Sequence, residues 1–406
     1  MERMIDIVAR DLGVDPVAFR KQNLLTKEEL PYNGGLLVPS MGESFYDTGD
    51  YCLTLDRALA EMGYDSLKSM SGSLVDGRLQ GVGVACYVDS TGVGPSETAR
   101  IVIRSSKDVD VYVGSSSCGQ GIETVMAQVA AERLGLSLKA VRVMHGSSTF
   151  TEDGVGFSHS RCAVMGGGAV YQAAGEMLDL ITDRAASMLG LPREHLEYRD
   201  AEIYDQRDGD LLMGLDELIA RSSETHGVLE AKSTFFNNDL TYTYGTQIAH
   251  VAVDPRTAQV EVLRFLTVED IGRAINPLIV HGQAIGASFQ GISGTFLDQF
   301  VYDETGQLLT GSFADYVIGT ATDFPNIEAI TLEVHRSPSN PLGVKGAGEG
   351  TISSTGAVLA NAVSNALASM DITITSLPLS PNNLSRLIRE AKQSSSASLD
   401  KKETPQ

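Results

Sequence analysis

The chain of 406 residues is predicted to fold as α+β, and three observations carry that prediction. Short runs alternate apolar and polar residues, as half-buried strands do. Other stretches repeat apolar residues at helical spacing. The two kinds of segment follow one another without βαβ regularity, which argues against a parallel doubly wound sheet.

Ile5, Val8, Ala9 and Leu12 lie on one helical face, so residues 2–25 read as a helix and its exit through "GVDPVAFRKQNLL". Residues 26–50 read as loop, with "PYNGG" as turn chemistry. A second helix is expected over 54–63. From Leu79 the pattern turns to strands: "GVGVACYV", "ARIVIRS" and "DVDVYVG". Helix is expected at 122–134, then the strand "AVRVMHG". "DGVGFSHSRCAVMGGGAVYQ" reads as a glycine-rich loop feeding a long helix. Strands return over 228–270, helix over 277–299, and "QFVYDETGQLL" reads as a hairpin. "IEAITLEVH" and "ITITSLPL" are the last strand-like runs. The polar, low-complexity end of the chain is expected to be disordered.

Bulk composition excludes several function classes. Hydrophobic residues make up 42%, enough for sizeable cores. A net charge of −21 opposes nucleic acid and anionic membrane surfaces as partners. No stretch approaches the ~18 apolar residues that a membrane span needs. Cys52, Cys86, Cys118 and Cys162 lie far apart, without the spacing of a zinc or iron–sulfur site. So few cysteines suit a reducing, cytoplasmic setting. Glycine, at 41 residues, exceeds the usual ~7%. That excess suggests backbone-lined loops.

Four such loops stand beside helices. "GSSSCGQGIET" (114–124), "FSHSRCAVMGGGAV" (157–170) and "GASFQGISG" (286–294) carry Gln120, Arg161 and Gln290. "PLGVKGAGEGTISSTGAVLANAVSNAL" (341–367) carries Lys345 and a single carboxylate, Glu349. Glycine lets backbone lie close against a ligand, and helix N-termini offer free N–H groups to anions. Each residue also has a structural reading: surface glutamines, half an ion pair, a solvated lysine, an acid complementing a helix dipole. Together, two amides, backbone donors and one acid suit a large, polar, phosphorylated heterocycle. No Walker A or GxGxxG pattern supports a simple nucleotide fold.

On "ERMIDIVARDLGVDPVAFRKQNLL", "GQGIETVMAQVAAERLG", "SHSRCAVMGGGAV", "DIGRAINP", "TGSFADYVIGTATDFP" and "NPLGVKGAGEG", the chain resembles molybdenum hydroxylases. The match is to the C-terminal half of their molybdopterin-binding large subunit, in the xanthine dehydrogenase and aldehyde oxidase family. The carbon monoxide dehydrogenase large-subunit type is most similar. The resemblance implies the family's molybdenum-cofactor-binding fold, with mixed sheets and packed helices. It implies molybdenum–molybdopterin in its cytosine dinucleotide form, with no side chain ligating the metal. Glu349 matches the active-site glutamate, the base in hydroxylation of an aldehyde, N-heterocycle or similar molecule, or in CO oxidation. Gly119, Gln120, Gly121 and Gln290 match pterin-contacting positions. Ser160, Arg161 and Cys162 match the loop holding the dinucleotide. Lys345, Gly346 and Gly348 match the segment that brings Glu349 to the metal.

The resemblance also divides the chain. Residues 1–76 match the end of a first molybdopterin-binding domain and 77–384 a second, leaving 385–406 as a disordered tail. The family's N-terminal half is absent, so a split gene or a truncated, non-catalytic remnant are both open. The family implies an iron–sulfur small subunit with [2Fe–2S], an FAD medium subunit and, for a split gene, the other half of the large subunit. Apolar positions around Ile5, Val8 and Leu12 are expected to face that missing half.

Overall fold

The computed structural model describes residues 1–38, 42–151, 153–323 and 326–400. Helices α1 (Glu2–Asp11) and α2 (Pro16–Asn23) open the chain, the second capped by the Asp15 carboxylate on Val17 N and Ala18 N. The stretch read as loop holds a hairpin of β1 (Tyr32–Val38) and β2 (Gly42–Tyr46), a correction. Its glycines masked the strand pattern, and Tyr46 packs edge-on to Tyr242 at 4.8 Å. Helix α3 (Tyr51–Met62) starts at the Asp50 cap and stops at Gly63, whose φ of 62° ends it, before α4 (Tyr64–Met70).

Edge strand β3 (Leu74–Val75) pairs with β4 (Arg78–Thr91), and β5 (Ser96–Ser105) and β6 (Asp108–Val113) follow. Next come α5 (Ile122–Leu134), β7 (Val141–Met144) and the long α6 (Gly167–Leu189). A meander of β8 (Leu196–Arg199), β9 (Glu202–Asp205) and β10 (Leu211–Gly214), then α7 (Leu215–His226), has no counterpart in the sequence reading. The chain continues through β11 (Leu229–Phe236), β12 (Thr241–Val253), β13 (Val260–Asp270), α8 (Pro277–Phe296), β14 (Ile327–Leu332), α9 (Thr355–Ala366) and α10 (Pro381–Asp400).

Two mixed sheets organise these elements, as the α+β reading requires. The first has the order β11-β5-β6-β7, antiparallel except β6–β7, with α5 and α6 supplying its core. The second has the order β14-β13-β12-β4-β3, antiparallel except β13–β14. Leu55, Ala58 and Met62 of α3 cover one face of the second sheet, and α9 and α10 pack in the cluster on its other face. All thirteen positions of β12 are therefore buried. The expected boundary at 76/77 falls in the turn between the paired strands β3 and β4.

Helix α9 lies unusually close to β4. A Cβ at Gly81 would stand 2.2 Å from the Ala362 carbonyl oxygen, and one at Gly83 2.2 Å from that of Val358. Backbone, not a flexible side chain, blocks the added atom. Gly81→Ala is accordingly expected to cost about 1–3 kcal/mol, the range for overpacking, read as a lower urea midpoint with an unchanged m-value.

The "QFVYDETGQLL" segment turns back as a minimal hairpin: the antiparallel Tyr302–Leu308 bridge is flanked by bonds from Asp303 N to Gln307 O and Leu309 N to Val301 O, and the Asp303 carboxylate closes the turn by accepting from Thr305 N and Gln307 N. Two other terminal expectations need correction. "ITITSLPL" forms no strand; it runs across the core, burying Ile372, Ile374 and Leu379. The tail expected to be disordered from 385 is helical to Asp400, since Leu384, Leu387, Ile388 and Ala391 join the α9 core. Residues 401–406 lie outside the described residues. Among the described residues no helix is long and apolar enough to cross a membrane.

Candidate functional site

Glu349 stands where the segment 340–350 crosses the ends of β4, β12 and β13. The Asn340 side chain bonds both Val344 N and Val344 O. Lys345 N donates to Ile271 O at 2.9 Å, and Gly346 N to Thr91 Oγ1 at 2.9 Å. Thr243 Oγ1 donates to the Gly346 carbonyl. Glycine is required at 346, where a Cβ would meet Ser160 O at 2.3 Å.

The Glu349 carboxylate is exposed to a cleft and accepts from Ser160 Oγ at 2.8 Å. It makes no capping bond to the 3₁₀ turn Gly350–Ile352, and α9 begins only at Thr355. The helix-dipole reading thus loses its geometry. His159 and Ser160 both adopt positive φ, 57° and 46°. Consecutive non-glycine residues in that region are strained by roughly 1–3 kcal/mol each. The strain aims the Ser160 hydroxyl at Glu349.

Arg161 holds that strained corner. Its guanidinium, 1% exposed, pairs with Glu97 Oε2 at 2.5 Å and donates to Gly156 O, Val93 O and Ser96 O. The ion-pair reading of Arg161 therefore describes its side chain. Every nitrogen of that guanidinium already has a protein acceptor, so Arg161 acts as a strut. Lys345 is similar: its ammonium is buried, donates to Thr48 O at 3.1 Å and lies 5.0 Å from the Tyr244 ring centroid. Burial lowers its pKa.

Gln120 lies between Gly119 (φ 108°) and Gly121 (φ 78°) at the N-terminus of α5. Its Oε1 accepts from Cys118 N at 2.6 Å, and its Nε2 reaches the Cys162 sulfur at 3.8 Å. Burial pushes the Cys162 thiol up to about 11, so it sits as a neutral wall residue. A Cβ at Gly121 would lie 2.5 Å from Ile279 Cδ1, so the N-termini of α5 and α8 converge. Asn276 caps α8 and donates to Gln128 Oε1 at 2.9 Å.

These pieces enclose a cavity of about 340 Å³ lined by Gln120, Ser160, Cys162, Lys345, Gly348 and Glu349 among others. A second cavity, also about 340 Å³, holds Gln290. Gln283, Gly348 and Glu349 line both, so Glu349 can be approached from two sides. Gln283 was missed in the sequence, although it lies seven residues before Gln290 on the same face of α8, with Gly286 and Ala287 between. Arg273, at the first cavity and 3.3 Å from Glu132, was missed as well.

Amides at both cavities, two convergent helix N-termini and the backbone at Gly348 fit a flat, hydrogen-bonding, phosphorylated pterin. Among the described residues no cluster of three or more His, Cys, Asp or Glu side chains is placed to hold a metal ion.

Comparison with known proteins agrees with this geometry. The chain is 35% identical over 390 residues to the 6-hydroxypseudooxynicotine dehydrogenase complex subunit gamma of Paenarthrobacter nicotinovorans, covering 94% of this chain and 49% of that one. It is 27% identical to the carbon monoxide dehydrogenase large chain of Hydrogenophaga pseudoflava, covering 93% and 49%. Quinoline 2-oxidoreductase from Pseudomonas putida 86 superposes with a TM-score of 0.86 at 31% identity, covering 96% of this chain and 51% of that one. The chain spans about half the length of the curated relatives it matches. Residues 57–325 match the model of the molybdopterin cofactor-binding domain, and the chain belongs to that family.

Proposed function

We propose that this chain is the Glu349-bearing half of a molybdenum hydroxylase large subunit, cytoplasmic, binding molybdopterin as the cytosine dinucleotide. The observation that carries the reading is the placement of Glu349, an exposed carboxylate on a glycine-cleared loop shared by two cavities. When bound, the cofactor supplies the oxygen nucleophile and the electron sink. Glu349 supplies the proton acceptor, held by the Ser160 hydroxyl. Gln120 and Gln290, with Gly119 and Gly121, face the pterin from the two cavities. The main chain at 160–162 serves the dinucleotide, while Lys345, Gly346 and Gly348 fix the loop. The substrate is an aldehyde, an N-heterocycle or a similarly electron-poor carbon, or carbon monoxide.

In this reading residues 1–76 close a first domain whose remainder lies on a partner chain. Val8 and Leu12 on α1 are exposed, with Met4, and suit such a contact, as do exposed Phe300, Phe313 and Ile318, whereas Ile5, expected with them, is half-buried. Electrons leave to a [2Fe–2S] subunit and an FAD subunit, because this chain's cysteines are dispersed.

The test is molybdenum and pterin analysis of the chain purified alone and with the products of its neighbouring genes. Both cofactor components are expected in the assembly. Alone, even if loaded with molybdenum, the chain is expected to give no substrate-dependent dye reduction, because an open cleft neither excludes water nor fixes the reacting groups. Turnover by the isolated chain would sink the half-subunit reading, and an assembly without pterin would leave the remnant.

A further inference from the structure

A second carboxyl lies under the Glu349 loop. Asp89 on β4 pairs with Thr243 of β12, and directly paired residues on an antiparallel ladder share a face. Thr243 touches the loop through the Gly346 carbonyl, and its methyl would lie 3.5 Å from a Cβ at Gly350. Tyr87, two residues before Asp89 and so on the same face, would lie 2.9 Å from that Cβ. Asp89 is thus flanked by the two side chains that floor the loop. Its Oδ2 is buried and has no hydrogen-bond partner. A buried oxygen without a donor is costly as an anion. Burial, and then the Glu349 charge, push the pKa of Asp89 up to about 7.

We propose that Asp89 and Glu349 form a coupled carboxyl pair, in which Asp89 holds a proton beneath the loop that carries the Glu349 carboxylate. The functional meaning of the pair rests on Glu349 as base; the coupling itself does not. Asp89 is a positioning residue, acting through Glu349. The other groups on this face are Tyr87, the hydroxyls of Thr243 and Ser160, and Glu269 of β13, which accepts from Tyr87 Oη at 3.2 Å. Glu2 and Arg20 act on Cys86, the neighbour that alternation turns to the opposite face. Below its midpoint Asp89 is neutral and the pair carries one negative charge. Above it Asp89 adds a second negative charge beneath the loop, a charge that burial and the Glu349 carboxylate both oppose.

The experiment is a pH titration of the full 406-residue chain by carboxyl ¹³C NMR, with Asp89→Asn giving the assignment. The wild-type Asp89 midpoint is expected near 7. In Glu349→Gln it is expected to fall by about one pH unit while staying above the ordinary ~3.9. Selective aspartate labelling supplies the assignment should Asp89→Asn not fold. An Asp89 midpoint near the ordinary value, or one indifferent to Glu349→Gln, overturns the pair. No cofactor is needed, so the result is independent of whether Glu349 proves to be the base: full turnover in a Glu349→Gln complex would remove the base and leave the coupling.

Discussion

In the assembled, cofactor-loaded complex, Glu349→Gln is expected to lower kcat by about 10²–10⁴-fold at unchanged molybdenum content. That loss corresponds to about 3–5 kcal/mol of transition-state stabilisation. Glutamine has nearly the shape of glutamate, and its amide oxygen can still accept from Ser160 Oγ. The constraints on the loop lie elsewhere, at Asn340, Lys345 and Gly346, so the backbone should persist. What glutamine cannot do is accept a proton from the reacting group. An acid that merely complemented a turn dipole would be worth under about 1 kcal/mol of stability and nothing in rate. The measurement is kcat beside metal per chain. A near-normal rate with full metal would remove the catalytic assignment.

How far this site could be read from sequence depended on what each residue's neighbours were. Glu349 was visible because it is the only carboxylate in 27 residues rich in glycine and alanine. Gln290 stood out in a run of small residues, whereas Gln283 did not although Gly282 precedes it, and the face of α8 shared through Gly286 and Ala287 joins them. Arg161 was readable as half an ion pair, but its partner was not, because a sequence does not show burial. Its counter-ion Glu97 is 64 residues upstream, at the start of the inner strand β5. Asp89 was hidden for the opposite reason: in an alternating strand a polar residue reads as solvent-facing. The α+β class was legible because short β-branched and apolar strand runs interleave with helical spacing, even where a strand such as β12 is buried on both faces. The hairpin before α3 was not, its strands being short and rich in glycine and polar residues. At the far end, low-complexity serines obscured α10, although within it Leu384, Leu387, Ile388 and Ala391 follow a 3–4 spacing.

The strut behind Ser160 yields the second large effect. Glu97→Gln is expected to destabilise the chain by about 3–5 kcal/mol, because it leaves the Arg161 charge buried without a counter-ion. Glu97 is itself fully buried, and it also accepts from Ser115 Oγ at 3.1 Å and Thr98 N at 3.1 Å. Glutamine can replace some of these hydrogen bonds but not the charge. On the order of 10 °C should be lost in Tm, by the scaling for domains of this size. The control is Glu261→Gln, which removes the partner of Arg78 in a pair whose side chains are 39% and 57% exposed. Exposed pairs are worth at most about 1 kcal/mol, so that variant should unfold close to wild type. Replacing both buried partners, Glu97→Gln with Arg161→Met, should recover part of the loss, since no charge then stays buried. Thermal unfolding of the four proteins decides it: equal shifts for Glu97→Gln and Glu261→Gln would mean that the Arg161 corner tolerates an unpaired charge. The double variant then separates the two roles of that corner. With the charge problem removed, a loss of pterin binding in the assembled complex reports on the strained 159–160 backbone that aims Ser160 at Glu349, and not on global stability.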